Sequence, residues 1–473
     1  MATRSTSRHR RRRPSGRPTL AGRHAVRKVR DRVARVDVAV VGAGVAGLAA
    51  ARDLRRRGLT VAVLEARDRI GGRILTLHDP RLPVPVELGA EFVHGVAPLT
   101  HRLLAEAGLT TIDGAGEHWR ARHGSLARTE TWQPIGSILR RIDRRARDRS
   151  FDGFLDDLGG GAPAADRRAA REFVQGYHAA DPAAISVRSL APRGGAGPAA
   201  APARIARVLG GYDQLPRWLA TELAAELRLR SPVTAVEWRR GHVELSVRRE
   251  GDAVERLAAR AAIVTVPAGV LAAAPAAPGG LRLEPDPPRI RRACGLVAMG
   301  TVARLTCWFR ELPWSSAAAA RDHGGVAHAG FWHLDGPTFR VCWTAYPLGS
   351  PVAVAWSGGP AAAALAARGA RAVESAAVTE LAASFGLPRR AFTARLVAAW
   401  THDWQQDLHA RGAYSYARVG GAGAARRLSQ PVEDTLFFAG EATDTSGQTG
   451  TVEGALASGL RAARQAVRAL GER

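Results

Sequence analysis

The 473-residue chain is poor in cysteine: it has three, Cys294, Cys307 and Cys342, and no two form a C-x-x-C pair. That argues against a disulfide framework or a cysteine-built metal cluster, and no metal site is expected. Such a chain suits a reducing cytoplasm. No run approaches the roughly 18 consecutive apolar residues of a membrane span, so none is expected. Lysine is nearly missing, with Lys28 standing alone among 68 Lys+Arg residues. Acids are also scarce, 43 Asp+Glu, which leaves a formal net charge of +25. Eleven basic residues fall in Met1–Arg30, which holds no acid, so about +14 belongs to the rest. Residues 1–34 carry almost no apolar content and are expected to be a disordered basic tail. No apolar stretch follows the tail's paired arginines, which argues against a secretory signal. Arg10–Arg13 has no aromatic neighbour on which a base would stack, which argues against a nucleic-acid-binding arm. The arginine bias, with abundant Ala, Gly and Pro, reads as coding drift in a GC-rich genome.

The remaining composition, 46% apolar and 23% charged, is that of a globular protein with a large core. Order is expected to begin at Val36. Val36–Val41 is an apolar, β-branched run of the kind found in buried parallel strands. A helix over Ala46–Arg57 follows, stopped by Gly58, and then a strand over Val61–Leu64. From about His101 to Arg207 the pattern is mainly helical, with a loose Gly/Pro/Ala stretch at Pro192–Pro202. Val233–Trp238 and His242–Arg248 predict a hairpin turning at Arg240-Gly241. Further strands are expected at Ala262–Val266, Arg304–Phe309, Thr338–Ala345, Val352–Ser357 and Leu436–Ala439. One helix is expected over Pro360–Phe385 and a last one over Val452–Ala469. No internal repeat is visible.

Between the first strand and helix lies Gly42-Ala43-Gly44-Val45-Ala46-Gly47, a match to G-x-G-x-x-G. Gly42 permits the tight turn, Gly44 a close approach to pyrophosphate, and Gly47 close packing of helix on strand. The anion would lie at the helix amino terminus. Glu65, at the end of the second strand, suits a ribose hydroxyl and repels a 2′-phosphate, which favours FAD or NAD over NADP. In the stretch that follows, Gly71-Gly72 permits close backbone approach and Arg73 offers a fork for phosphate oxygens.

Glu65 to Arg73 resembles the E-A-x-x-x-x-G-G-R extension of flavin-containing amine oxidases. Six further segments fall in that family's order: Val86–Gly95, Gly210–Pro216 with Ser231-Pro232-Val233, Ala262–Leu271, Trp404–Asp407, Gly412–Tyr416, and Phe437–Thr443 with Gly450–Ala455. The chain is similar to the polyamine oxidase and lysine-specific histone demethylase-like branch from about Val36 to its carboxyl end. The resemblance implies a discontinuous Rossmann-like FAD-binding domain (35–95, 205–285 and 430–473) interleaved with an α+β substrate-binding domain (96–204 and 286–429).

The same resemblance assigns roles. Gly42, Gly44, Gly47, Glu65, Arg67, Gly72, Arg73 and Val233 would hold the ADP half of FAD. Gly89, Ala90, Trp404, Gly440, Glu441, Thr451 and Val452 would meet the ribityl chain or the flavin ring. Ala413 stands where monoamine oxidases carry the cysteine that bonds to the flavin, so noncovalent FAD is expected. Tyr414 and Thr451 fall at the two walls that flank the amine, and His94 precedes a glycine as in polyamine oxidases. Arg304 stands in place of the family's lysine, which holds water near the flavin. It cannot act as a base, because a guanidinium does not deprotonate in proteins.

The implied reaction is oxidation of a C–N bond: hydride transfer to the flavin, hydrolysis of the imine, and reoxidation by O2 to H2O2. Other readings are a desaturase, an L-amino acid oxidase, a non-turnover FAD-binding protein, or a chromatin-associated protein using the basic tail. For a polyamine substrate the positive charge is a difficulty. Glu91, Glu117 and Glu453 are expected to reverse the field locally at the mouth. The oligomeric state is not legible.

Overall fold

The strand, glycine turn and helix at the amino end are present in the computed structural model of the chain, which describes residues 34–191, 204–249, 251, 253–314 and 326–471. The basic tail, apart from Ala34, and the stretch at 192–202 lie outside the described residues. Strand Ala34–Val41 pairs in parallel with Val61–Leu64 on one side and with the long strand Val254–Val264 on the other. Leu436–Phe438 adds in parallel to the end of that long strand, from Ala262 to Val264. The hairpin Val233–Arg239 and His242–Arg248 continues the same eight-stranded sheet. Helix Val45–Arg56 covers one face, with Leu48 and Leu54 fully buried, and the last helix, Val452–Ala469, packs beside it. All strands of this sheet come from the three segments expected to hold the cofactor.

A second sheet has seven strands, ordered Leu396–Trp400, Val302–Phe309, Val352–Gly358, Val341–Thr344, Ala329–Leu334, Glu117–Arg122 and Ser125–Arg128. Alternation sorts its side chains. Trp119, Leu305, Trp332 and Cys342 enter an apolar core with helix Ala370–Ser384. Their neighbours His118, Arg304, Phe331, His333 and Trp343 face a cavity. Among the described residues no helix is long and apolar enough to cross a membrane.

One expectation is refined and one corrected. The segment from His101 to Arg207 is helical through most of its regular structure but not only that: it also holds strands Thr111–Asp113, Glu117–Arg122 and Ser125–Arg128, and Ile205–Val208 at its end. Glu117–Arg122 pairs in parallel with Ala329–Leu334, a partner too distant in sequence for local propensity to reveal. The helix expected over Pro360–Phe385 is two helices, Pro360–Ala366 and Ala370–Ser384, parted at Gly369, whose φ is +87°.

Candidate active site

Four parallel strands end at one cavity. Val41 runs into Gly42, Leu64 into Glu65, Val264 into Thr265, and Phe438 through Ala439 into Gly440; Val41, Gly42, Leu64, Glu65, Thr265 and Gly440 all line a space of about 2350 Å³. The carboxyl ends of parallel strands are where an open α/β sheet binds its ligand. The volume exceeds the 300–1,000 Å³ or so of an ordinary small-molecule pocket. It suits a dinucleotide together with a substrate.

The nucleotide end is built from the glycine turn. Gly42 has φ +108°, and a Cβ on Gly47 would lie 2.0 Å from the Gly42 carbonyl oxygen, so the helix rests directly on the turn. Around Gly44 no atom lies within 4 Å of a Cβ position, and the helix it opens has no side-chain cap. Free N–H groups thus face open space, which fits a pyrophosphate. Glu65 is buried and accepts from the Ala43 N–H at 2.8 Å and the Arg67 N–H at 2.9 Å, which aims its carboxylate while leaving lone pairs for a ribose. Arg67 donates to Asp407 at 2.6 Å, and Asp407 also meets His402 at 3.2 Å. Burial opposes ionisation of Asp407, but the His402 hydrogen bond and the Arg67 charge outweigh it and hold its pKa below the usual range. His402 packs edge-on against Trp404, whose Nε1 donates to the Leu88 carbonyl. Val233 lines the same end of the cavity.

Glu441 is the second hub. It is buried and accepts from Arg73 at 2.9 Å, the Ser415 hydroxyl at 2.6 Å and the Gly450 N–H at 2.9 Å. Arg73 is therefore a clamp more than the free phosphate fork expected of it: the same Nη1 also donates to the Ala413 carbonyl. Its own carbonyl accepts from the Ala90 N–H at 3.1 Å, and Gly72 lies against Gly44. These contacts tie the glycine-rich turn, the Tyr414 segment and the Val452 helix start to one carboxylate.

The third hub is Glu91. It accepts from Arg304 at 2.6 Å, Arg207 at 3.0 Å and the Trp343 indole at 3.0 Å. Burial would raise its pKa, but the Arg304 and Arg207 guanidiniums prevail and hold it below the usual value. Arg304 also donates to the Gly89 carbonyl at 3.1 Å, so it anchors the loop at Gly89–Glu91. The acids expected to counter charge at the mouth do not do so. Glu91 is neutralised inside the protein. Glu117 bonds the Trp119 indole and pairs with Arg128. Glu453 is buried, accepting from the N–H groups of Leu99 and Thr100.

At the substrate end, Tyr414 donates its hydroxyl to the Tyr177 carbonyl at 2.7 Å, and its ring lies beside Gly450. Thr451, which follows Gly450, lines the same cavity, and its hydroxyl serves the helix start. It donates to the Gln448 carbonyl at 2.7 Å and accepts from the Gly454 N–H at 3.1 Å, capping the last helix.

His94 sits between Phe92 and Tyr177, with ring centroids 5.7 and 5.8 Å away. Tyr177 stacks on Phe173 at 5.0 Å, and Phe173 meets Trp132 at 5.5 Å. Trp132 meets His118 at 6.3 Å, His118 stacks on Phe331 at 5.1 Å, and Phe331 returns to Phe92 at 6.0 Å. The seven rings form a closed collar, and all line the cavity. Burial lowers the His94 pKa to about 4, and its Nδ1 has no partner among the described residues. Of the collar, only His94 is singled out by the sequence. The spacing of Phe173 and Tyr177 on one helix face was the signal available for two further members.

This fold and site belong to a class that comparison with known proteins identifies. Residues 45–467 match the family described as Flavin containing amine oxidoreductase, and the chain belongs to that family. It is 28% identical to Probable polyamine oxidase 4 of Arabidopsis thaliana over 92% of this chain and 88% of that protein. A solved structure of wild-type putrescine oxidase bound to putrescine matches with a TM-score of 0.75 at 22% identity, covering 92% of this chain and 99% of that one. Cyclohexylamine oxidase from Brevibacterium oxydans IH-35A matches with a TM-score of 0.73 at 21% identity, over 92% and 100%. The protein is an FAD-dependent amine oxidoreductase. Its FAD is noncovalent: Ala413 offers no thiol, and the three cysteines are buried outside the cavity lining.

Proposed function

We propose that this protein oxidises an amine at the carbon beside nitrogen, with O2 as acceptor and H2O2 as product. The observation that supports it most is the single cavity that joins the ends of four parallel strands to the aromatic collar across Tyr414. Bound FAD would supply the redox chemistry, accepting hydride from the amine and passing electrons to O2.

The chain's own part is to hold, orient and dehydrate. The segments 35–95, 205–285 and 430–473 carry the cofactor, and 96–204 with 286–429 carry the substrate. Glu65 takes the ribose, and the open helix start at Gly44 takes the pyrophosphate. Arg67, Gly72 and Val233 lie along the ADP half. Trp404, Gly89, Ala90, Gly440, Glu441 and Val452 shape the flavin seat. Tyr414, fixed by its bond to Tyr177, forms the wall that orients the amine. The buried, uncharged His94 and its neighbours disfavour an ammonium and so favour the neutral amine needed for oxidation. Arg304 is a positioning residue that keeps Gly89 and Glu91 in place. Three buried cysteines support a cytoplasmic setting.

The test is anaerobic mixing of the purified yellow protein with a panel of amines, followed by admission of O2. Bleaching of the flavin and then stoichiometric peroxide is expected. A fully FAD-loaded protein that no amine bleaches would overturn the reading.

A further inference from the structure

Given that the site oxidises amines, the collar narrows which amine. Its inner surface is made of ring faces and edges contributed by the strands at Phe92–His94, Glu117–Arg122 and Ala329–Leu334 and by the helices Trp132–Leu139 and Ala164–His178. No carboxylate is among its members. Acids on the cavity wall are already engaged: Glu91 by Arg304 and Arg207, Glu172 by Arg340, Asp335 by Arg120 and Arg122, Asp148 by the Ser186 hydroxyl and the Gly420 N–H, and Asp444 by the Ser446 hydroxyl and the Gln448 N–H. Glu130 lines the cavity without an ion-pair partner among the described residues, but it is exposed to solvent. Arg144, Arg168 and Arg188 also line the cavity, and among the described residues their guanidiniums have no carboxylate partner. The imidazoles add no charge: burial pushes His94 to about 4, His333 behind the collar to about 3, and His118 below its ordinary value.

A polyamine brings a second cation. Ring faces attract a cation, but that attraction replaces only part of the hydration lost on burial, and the cost is met only by a paired carboxylate. Basic groups around the cavity add repulsion at long range. A flat apolar ring meets none of these penalties and gains edge and face contacts with every side of the collar.

We propose that the substrate is a monoamine whose carbon substituent is a flat apolar ring seated in this collar, and that polyamines are excluded because no acid stands in the collar to receive their second nitrogen.

The test uses 2-phenylethylamine and spermidine as probes. Binding to dithionite-reduced holoenzyme is measured by isothermal titration, so that no turnover is needed, and reduction of the oxidised holoenzyme is followed separately. 2-Phenylethylamine should bind at least tenfold more tightly than spermidine. Phe331→Leu and Phe173→Leu should each weaken it about tenfold and leave spermidine unchanged. Equal or tighter spermidine binding would overturn the inference, as would a 2-phenylethylamine affinity untouched by both substitutions. Faster flavin reduction by spermidine would also defeat it while leaving amine oxidation standing. The expected binding pattern without reduction by either amine would instead defeat amine oxidation and leave the collar's preference intact.

Discussion

The Arg304 guanidinium and the Glu91 carboxylate meet at 2.6 Å, with side chains only 5% and 9% exposed. Arg207 and Trp343 close the same carboxylate from the other side. Glu91→Gln would leave two buried guanidiniums facing a neutral amide. It should destabilise the protein by about 3–5 kcal/mol, the usual result of removing one partner of a buried pair. Urea unfolding of the FAD-free protein measures this. A loss below about 1 kcal/mol would mean that water reaches the cluster.

Tyr414→Phe removes the bond to the Tyr177 carbonyl but keeps the ring, whereas Tyr414→Ala removes both. Flavin reduction should fall only a few-fold in the first variant. It should fall on the order of 100-fold in the second, because misplacing the reacting atoms by about 1 Å is enough for that. FAD content should be near normal in both. Stopped-flow absorbance under nitrogen makes the comparison, and equal rates in wild type and Tyr414→Ala would remove Tyr414 from the site.

Thr451→Ala should lower stability by about 0.5–2 kcal/mol through loss of the helix cap, and Thr451→Ser should keep most of it. Thermal unfolding distinguishes the two. If the alanine variant melts with wild type but changes its choice of amine, Thr451 matters as part of the cavity wall and the cap does not.

Glu65→Ala removes an acceptor from Ala43 and Arg67 and the expected partner of the ribose. FAD affinity should weaken by roughly 1.5–3 kcal/mol, the worth of a charge-assisted bond. Fluorescence titration of apoprotein with FAD gives the value directly. Unchanged affinity would place the ribose elsewhere.

Buried imidazoles make stability depend on pH. The pKa values of His94 and His178 are lowered to about 4 by burial, so the unfolded chain binds their protons first. Their stabilising neutral form is fully present above pH 6.5 and is lost as pH falls toward 4. Each contributes a slope of up to about 1.4 kcal/mol per pH unit in that window. Glu87, raised to about 8 by burial, acts in the opposite sense, so the informative quantity is the difference between wild type and His94→Phe. The stability of wild type relative to that variant should fall by about 2 kcal/mol between pH 6.5 and 4.5, as read from urea unfolding. A parallel pair of pH profiles would mean that His94 is solvated.

The amino-end unit was legible because its causes are local. A β-branched run, three glycines and an apolar helix face lie within a few turns of one another, and strand Val61–Leu64 and helix Val452–Ala469 fall on the residues expected. The family resemblance carried the cofactor, and most of the residues it names line the cavity. Three things were decided only by tertiary structure. Arginine-rich Glu117–Arg122 becomes a strand because Ala329–Leu334 pairs with it, and that pairing, by its register, sets His118 opposite Phe331. The collar draws its rings from five elements spread between Phe92 and Phe331, so no window of sequence contains it. Glu91, Glu117 and Glu453 carry the same formal charge in the sequence, yet each is cancelled or buried by a different partner. Composition counts charges and periodicity sorts faces. Which residues become neighbours depends on long-range pairing, and in a low-dielectric interior those neighbours decide whether an acid attracts a cation or only holds a loop.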